Sequence, residues 1–335
     1  MIKACLRGLF HRTSKGETAI KDISTVEGKY RWFTDEDFGL KVKVPADWEN
    51  MYNQTFTQFS SKNGRQWLKI KITSKEDGLT LDDWVKKHEQ LYRDVVNESY
   101  LKVDPEVKSS TIAGVPAKEQ KFSSSDGSGW YPEQDFFFFK GDYKVYVEIA
   151  YDPEATPEQA AELIQTIRQS LSVDTGAMNP ALGDITDDEL IDRDAMATVK
   201  IPGLNFSISI PEHWKETSGA EGTRMYEFTG GNAIVIAGPG RLSEVRTEVE
   251  KVIKEDSSSY SYVVKESKAI SLAGMQGYKI VAQGKNGGTR FEKTFYLLEK
   301  GKNAYMIAFT ISDWVKTKSM ENRVQKIVDS IQIGQ

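Results

Sequence analysis

Nucleophilic, acid–base and metal-assisted sites are built from clustered histidine, cysteine and carboxylate groups, and this chain is poor in the first two. It has three histidines, His11, His88 and His213, and one cysteine, Cys5, all far apart in sequence. One cysteine excludes both an intrachain disulfide and a cysteine metal cluster. His88 falls between Trp84 and Leu91/Tyr92 at helical spacing, which marks it as a structural histidine on an apolar helix face. His213, in Pro211-Glu212-His213-Trp214, could pair with Glu212 as half of a metal site, but no second histidine lies near it.

The usual catalytic signatures are missing. There is no Gly-x-Ser-x-Gly elbow, no His-Glu-x-x-His helix and no P-loop. Ala237-Gly-Pro-Gly240-Arg241 is glycine-rich ahead of a helix, yet no Lys-Ser/Thr follows and proline removes an amide donor, so it reads as a turn. Asp184, Asp187, Asp188 and Glu189 offer oxygens to a hard cation, but without the order of an EF-hand loop. The expectation is a chain that is not an enzyme, with no cofactor and no metal.

Aromatic residues are the better candidates for function. Trp130 and Tyr131 lie in the Ser/Gly-rich loop Ser123-Ser-Ser-Asp-Gly-Ser-Gly-Trp-Tyr131 and read as surface anchors for a protein partner. Phe136 to Phe139 is apolar at every position, so both faces of that strand should be covered. The alternative is an exposed face, carrying Phe136 and Phe138, that binds an apolar helix or the other half of the chain. Trp130, Tyr131, Phe136 and Phe138 are therefore the candidate binding residues.

The elements that position these residues occur twice. Phe38-Gly-Leu-Lys-Val-Lys-Val-Pro45-Ala-Asp-Trp48 is echoed by Leu204-Asn-Phe-Ser-Ile-Ser-Ile-Pro211-Glu-His-Trp214. Ala113-Gly114 matches Ala273-Gly274, Phe136 to Gly141 matches Phe295 to Gly301, and Ser170-Leu matches Ser330-Ile, all in the same order. Within the first copy, alternation predicts strands over Phe38–Val44, Leu68–Ile72, Ala117–Phe122, Asp135–Phe139 and Tyr143–Tyr151, with a turn at Lys140-Gly141-Asp142. Apolar spacing behind Thr80 predicts a helix through Val95, and Thr156-Pro-Glu-Gln159 is a capping box opening a second. The fold class is α+β: two tandem homologous domains, each a twisted antiparallel sheet flanked by helices. The domain plan is a basic tail over 1–29, repeat 1 over 30–173, an acidic linker over 174–196 that reads as an unstructured tether, and repeat 2 over 197–335, with the two repeats expected to unfold independently.

Taken together, an alternating strand ending in Pro-x-x-Trp, a mid-domain helix, an Ala-Gly turn, an aromatic hairpin closed at Lys-Gly, and a last helix ending in Ser-(Leu/Ile) resemble the PsbP-like superfamily. That group includes the extrinsic PsbP subunit of photosystem II, a Ran-binding nuclear import factor, bacterial envelope lipoproteins and type VI effector chaperones. The resemblance spans both repeats and implies a sheet sandwiched by helices with a non-enzymatic, protein-binding role. It transfers no catalytic residues.

Composition sets further bounds. The 335 residues are 39% hydrophobic, 28% charged and 11% aromatic, as in an ordinary soluble globular protein. A net charge of −5 disfavours nucleic acid as a partner. Lys3, Arg7, Arg12 and Lys15 make the N-terminus basic, readable as a helix touching an anionic membrane or, preferably, as a frayed end. With no signal peptide or transmembrane segment, the chain as written is expected in the cytoplasm, or outside it if a leader is missing. The expected function is a non-catalytic accessory protein, an assembly factor or chaperone acting on another protein. The alternatives are a self-associating subunit of a surface layer or filament, and a hydrolase or metal-dependent enzyme with a site between the repeats.

Overall fold

A computed structural model describes residues 23–52, 56–187, 191–201, 204–218, 222–255 and 257–334. Residues 1–22 of the basic tail and the linker carboxylates Asp188 and Glu189 lie outside the described residues. The first half contains strands β1 (Ile23–Glu27), β2 (Tyr30–Asp35), β3 (Leu40–Pro45), β4 (Glu49–Tyr52), β5 (Thr57–Ser60) and β6 (Trp67–Ser74). After helix α1 (Leu81–Val95) come β7 (Leu101–Val103), β8 (Lys108–Ile112), β9 (Val115–Ser125), β10 (Trp130–Lys140) and β11 (Tyr143–Ala150). Helix α2 (Pro157–Ser170) and β12 (Ser172–Val173) close it.

The second half follows the same plan. Its strands are β13 (Met196–Ile201), β14 (Phe206–Pro211), β15 (Lys215–Ser218), β16 (Thr223–Phe228) and β17 (Gly231–Pro239). Helix α3 (Leu242–Glu255) precedes β18 (Val263–Leu272), β19 (Met275–Asn286), β20 (Thr289–Lys300) and β21 (Asn303–Ser312). Helix α4 (Lys318–Asp329) and β22 (Gln332–Ile333) end the chain.

Each half has a small sheet, β1-β2-β3-β12 or β13-β14-β22, and a large one. The large sheets run β4-β5-β6-β11-β10-β9-β7, with β8 also on β9, and β15-β16-β17-β21-β20-β19-β18. The chain is α+β, with antiparallel sheets in two repeat-like halves.

Local chemistry explains the elements. In β3, Leu40, Val42 and Val44 are buried while their neighbours are not, the period of a strand with one face in a core. The Pro-x-x-Trp ends fold alike: the Trp48 amide donates to the Pro45 carbonyl at 3.2 Å and the Trp214 amide to Pro211 at 3.0 Å, and both indoles are buried. Thr80 caps α1, and Thr156 with Gln159 forms a complete capping box on α2. Ala113-Gly114 and Ala273-Gly274 both lie in the left-handed region (φ 51°/74° and 50°/74°), which a two-residue turn between antiparallel strands demands. Ser170 and Ser330 act identically as well. Each hydroxyl donates to a carbonyl in its helix (Ile167, Ile327) and accepts an amide from the neighbouring strand (Lys43, Ser209).

Helices cover both faces of each large sheet. One face of the first, with Leu68, Ile70, Phe136, Phe138 and Val147, packs on β2, β3 and α2. The other lies under α1, where Trp84 meets Phe137 edge-on at 5.2 Å and stacks on Phe139 at 5.7 Å. Phe136 and Phe138 are thus fully buried core residues, and the suggestion that they form an exposed binding face is corrected. Alternation along a doubly covered strand sends them inward as surely as it sends Phe137 to α1.

Two further expectations are corrected. The described part of the linker is no free tether. Met178 joins the first core, the Ile185 carbonyl accepts from the Ser74 amide at 2.9 Å, and Asp187 is buried between Lys71 (2.8 Å) and Lys144. The halves also touch. The Asn97 amide donates to the Trp314 carbonyl (2.7 Å), Asn97 Nδ2 to the Lys316 carbonyl (2.8 Å), and Thr317 Oγ1 to the Asp94 carbonyl (2.9 Å). The Trp314 ring packs on a cluster of Val96, Leu101 and Phe122. Two hairpin tips meet backbone to backbone, so that a Cβ on Gly288 would sit 2.5 Å from Ser128 Cα and 2.7 Å from the Gly127 carbonyl oxygen.

Candidate functional site

The two hairpins close on equivalent pairs, Lys140 with Tyr143 and Lys300 with Asn303, so their rungs can be counted from the turn. The fifth residue beyond Tyr143 is Glu148, and the rung through it reads Lys69, Glu148, Asp135, Gln120. The matching rung in the second half reads Ile234, Ala308, Phe295, Ile280. Two residues nearer the turn, Lys71, Tyr146 and Phe137 correspond to Ile236, Met306 and Leu297. Under α3 that face is largely apolar, with Val245, Val249 and Val252 over it, and carries a buried Lys293 on the rung that matches Glu133. Under α1 the same face is buried and largely polar.

The polar groups are bonded to one another. Tyr146 Oη donates to Asp135 Oδ2 at 2.7 Å and lies 3.2 Å from Glu148 Oε2. Trp67 Nε1 donates to Glu148 Oε1 at 2.5 Å, and Lys69 Nζ stands 3.7 Å from Glu148 Oε2. Ser124 Oγ donates to Glu133 Oε1 at 2.5 Å, and Tyr92 Oη reaches Glu133 Oε2 at 3.4 Å. His88 Nε2 is 3.6 Å from Asp135 Oδ2, with its ring among Tyr92, Phe122, Phe137 and Tyr146. His88 thus lies on the apolar helix face expected for it, in a box of aromatic rings with a buried carboxylate beside it.

Burial dominates the electrostatics. Asp135, fully buried and beside Glu148, has its pKa pushed up to about 6, although His88 and Tyr146 pull the other way. Glu133 is pushed well above the usual carboxylate range by burial and by the charges of Glu148 and Asp135. The Tyr92 and Tyr146 phenols are driven up by the same burial and by the neighbouring carboxylates.

Beside this cluster lies a cavity of about 450 Å³ at the junction of the halves. Trp67, Lys69, His88, Tyr92, Tyr131, Glu133, Tyr146 and Glu148 line it from the first half, and Arg193, Thr229 and Trp314 from the linker and second half. Tyr131 is the one sequence candidate on its wall, tilted against Trp67 at 5.6 Å. Trp130 and Tyr131 belong to β10, paired with Ser125 and Ser124, and not to a loop as the sequence suggested; serine-rich segments pair readily where the edge is shared. Trp130 lies under Lys102 Nζ at 3.9 Å and does not line the cavity. Lys69, Glu133, Asp135, Tyr146 and Glu148 were missed. Superimposing Lys140-Gly141 on Lys300-Gly301 exposes most of them, as polar residues standing where the second copy has Ile234, Phe295, Met306 and Ala308, whereas Glu133 falls on Lys293.

His213 sits apart, in a wider cleft of about 1160 Å³ shared with Asp94, Arg193 and Arg323. Burial, then Arg323 and Arg193, lower its pKa to about 4. The Ala237–Arg241 segment ends a strand, and the α3 N-terminus is occupied by the chain's own Glu299, which accepts from the Leu242 amide at 2.6 Å. Among the described residues no three His, Cys, Asp or Glu side chains are grouped to hold a metal ion, and no helix is long and apolar enough to cross a membrane.

No protein-family model matches the chain, and no curated protein matches it. Solved structures do. A cyanobacterial PsbP (CyanoP) from Synechocystis sp. is 13% identical, covering 48% of this chain and 98% of its own, with a TM-score of 0.35. A Bacteroides thetaiotaomicron structure is 15% identical over 39% of this chain, which spans 46% of that chain's length, with a TM-score of 0.29. The T6SS immunity protein TplEi of Pseudomonas aeruginosa is 11% identical, covering 90% of this chain and 97% of its own, with a TM-score of 0.28. The matches thus include a PsbP, the family that the sequence motifs resemble. At such scores any functional reading rests on this chain's own geometry.

Proposed function

We propose that the chain is a non-catalytic binding protein, built from tandem copies of one domain over 30–173 and 197–335, that holds another protein at the junction of its halves. The observation that carries this reading is the contrast between the two helix-covered faces. One copy fills most of its face with apolar side chains, and the other keeps three buried carboxylates beside an open cavity. Burying charge costs several kcal/mol that an apolar filling avoids, so a face that keeps it is explained by what it binds. Binding is preferred over catalysis because each buried carboxylate is held by a structural donor: Glu133 by Ser124, Asp135 by Tyr146 and Glu148 by Trp67.

The test is affinity capture from native cells with immobilised full-length chain, in parallel with Tyr131→Ala and a Trp67→Ala/Tyr131→Ala double variant. A partner retained by the wild type and lost by both folded variants supports the reading. Equal retention by all three, or turnover of a substrate abolished by Glu133→Gln, overturns it.

One observation favours a second reading, self-association. Strand β18 forms the edge of its sheet, and Val263 and Val264 near its start are 53% and 49% exposed. Unprotected edges pair with other chains. Sedimentation at rising concentration, compared with Val264→Lys, decides it.

A further inference from the structure

We propose that the junction cavity is a receptor for one alkylammonium or guanidinium group, delivered by a lysine or arginine side chain of the bound protein. The inference rests on the binding reading above and adds the chemistry that the cavity selects.

Three features carry it. The first is size. About 450 Å³ is within the range of built small-ligand sites and accommodates one long side chain. The second is its walls. Trp67 and Tyr131 meet at an interplanar angle of 52° and form an aromatic corner, the surface that attracts a cation to a ring face. Lys102 already stacks at 3.9 Å on Trp130, the next residue along the same strand.

The third is charge. Glu133, Asp135 and Glu148 are buried on two neighbouring rungs, with Lys69 3.7 Å from Glu148 and the His88 ring 3.6 Å from Asp135. Lys71 and Lys144 pair with Asp187, and Lys71 and Arg193 also line the cavity. Among the described residues the three carboxylates thus share one lysine at ion-pair distance, and Glu148 raises the proton affinity of both Glu133 and Asp135. A cation inserted between Glu133 and Glu148 removes that repulsion. Glu133 Oε1 accepts from Ser124 and Glu148 Oε1 from Trp67, Tyr92 reaches Glu133 Oε2 only at 3.4 Å, and Tyr146 gives its one proton to Asp135, leaving lone pairs for a ligand N–H. Asp135 Oδ1, fully buried, accepts no hydrogen bond among the described residues, a second sign that the layer is short of donors. In the second half Ala308, Phe295 and Lys293 stand at the positions of Glu148, Asp135 and Glu133, so one receptor per chain is expected.

The experiment titrates full-length protein with capped Ala-Lys-Ala, Ala-Arg-Ala, Ala-norleucine-Ala and Ala-Glu-Ala peptides, followed by calorimetry and tryptophan fluorescence. Expected is saturable binding of the basic peptides, at least tenfold tighter than norleucine, and a tenfold or greater loss in Glu133→Gln and in Glu148→Gln. Melting temperatures of both variants should hold or rise, because neutralising a crowded buried acid removes repulsion. Butylamine provides the second arm. If it binds as tightly as the lysine peptide, the site takes a free amine and delivery by a protein is wrong. No saturable response to either basic peptide, preference for Ala-Glu-Ala at Lys69 and Arg193, or indifference to both glutamine variants overturns the inference. A captured partner that is lost in the Trp67/Tyr131 variant but retained by Glu133→Gln and Glu148→Gln would sink the cation receptor and leave the binding reading standing.

Discussion

Tyr146 and Met306 hold the same rung of the same hairpin in the two halves, three residues past the closing pair, and each faces the helix that covers its sheet. Met306 completes an apolar layer. Tyr146 instead bonds to Asp135 and Glu148. That difference makes the second half a built-in control for the first.

Transplanting the apolar rung tests the control. Replacing Lys69, Glu148 and Asp135 with the Ile, Ala and Phe found at the matching positions should leave the fold intact. Stability should be unchanged or higher by roughly 1–4 kcal/mol, as when buried ionic groups give way to packed hydrophobic ones. Denaturant unfolding measures the gain, and partner capture should be lost in the same protein.

The linker ion triad behaves in the opposite way if only one member is removed. Asp187→Ala leaves the Lys71 and Lys144 ammonium groups buried without the carboxylate between them, with Glu76 still 2.9 Å from Lys144. The cost should be roughly 3–5 kcal/mol. Changing Lys71 to Ile and Lys144 to Ala alongside it, the residues at Ile236 and Ala304, should recover most of that loss in the same unfolding assay.

Trp314 couples the halves. Truncation to alanine removes a half-buried ring from Val96, Leu101 and Phe122 and should cost roughly 1–3 kcal/mol. Calorimetry should show the wild-type transition separating into two, with the first half melting independently of the second.

Acid should shift the halves in opposite directions. Asp135 titrates near 6 in the fold against 3.8 for a free aspartate, so the folded state takes up its proton first and the first half gains stability as pH falls through about 6. Glu133 acts in the same sense. His213 is the reverse. Held at about 4 against 6.5, it refuses a proton that the unfolded chain accepts, so the second half loses stability as pH falls from about 6.5 towards 4. Hydrogen exchange resolved to each half at about pH 7.5 and about pH 5 should show both trends. Asp135→Asn should flatten the first and His213→Gln the second.

The strands, caps and hairpin turns were legible because each rests on neighbours in sequence: Leu40, Val42 and Val44 alternate, Thr80 and Thr156 cap, and Ala113-Gly114 turns. The site was not. Lys69, Lys71 and Glu148 occupy the polar phase of alternating strands, and alternation cannot tell water from a covering helix. α1 lies over them, and only its height above the sheet turns a solvent face into a buried one. Asp187 was hidden for a similar reason. An acidic residue among glycines reads as solvated until the two lysines that receive it are brought together by pairing of β6 with β11. Tyr131 was found for the wrong setting, as a loop anchor, because its seryl neighbours resemble a loop as much as an edge.

The contact between the two hairpin tips has a practical meaning. With Ser128 Cα and the Gly127 carbonyl oxygen so near, Gly288 has no space for even a methyl group. A side chain there is a wedge set one contact behind the binding wall, because Ser128 Oγ lies 3.0 Å from Tyr131 Oη. Graded in bulk from alanine to valine to phenylalanine, it would set the gap between the halves and so adjust the mouth of the cavity. The glycine thus offers a mechanical dial for asking how tightly the junction must close before it can hold anything.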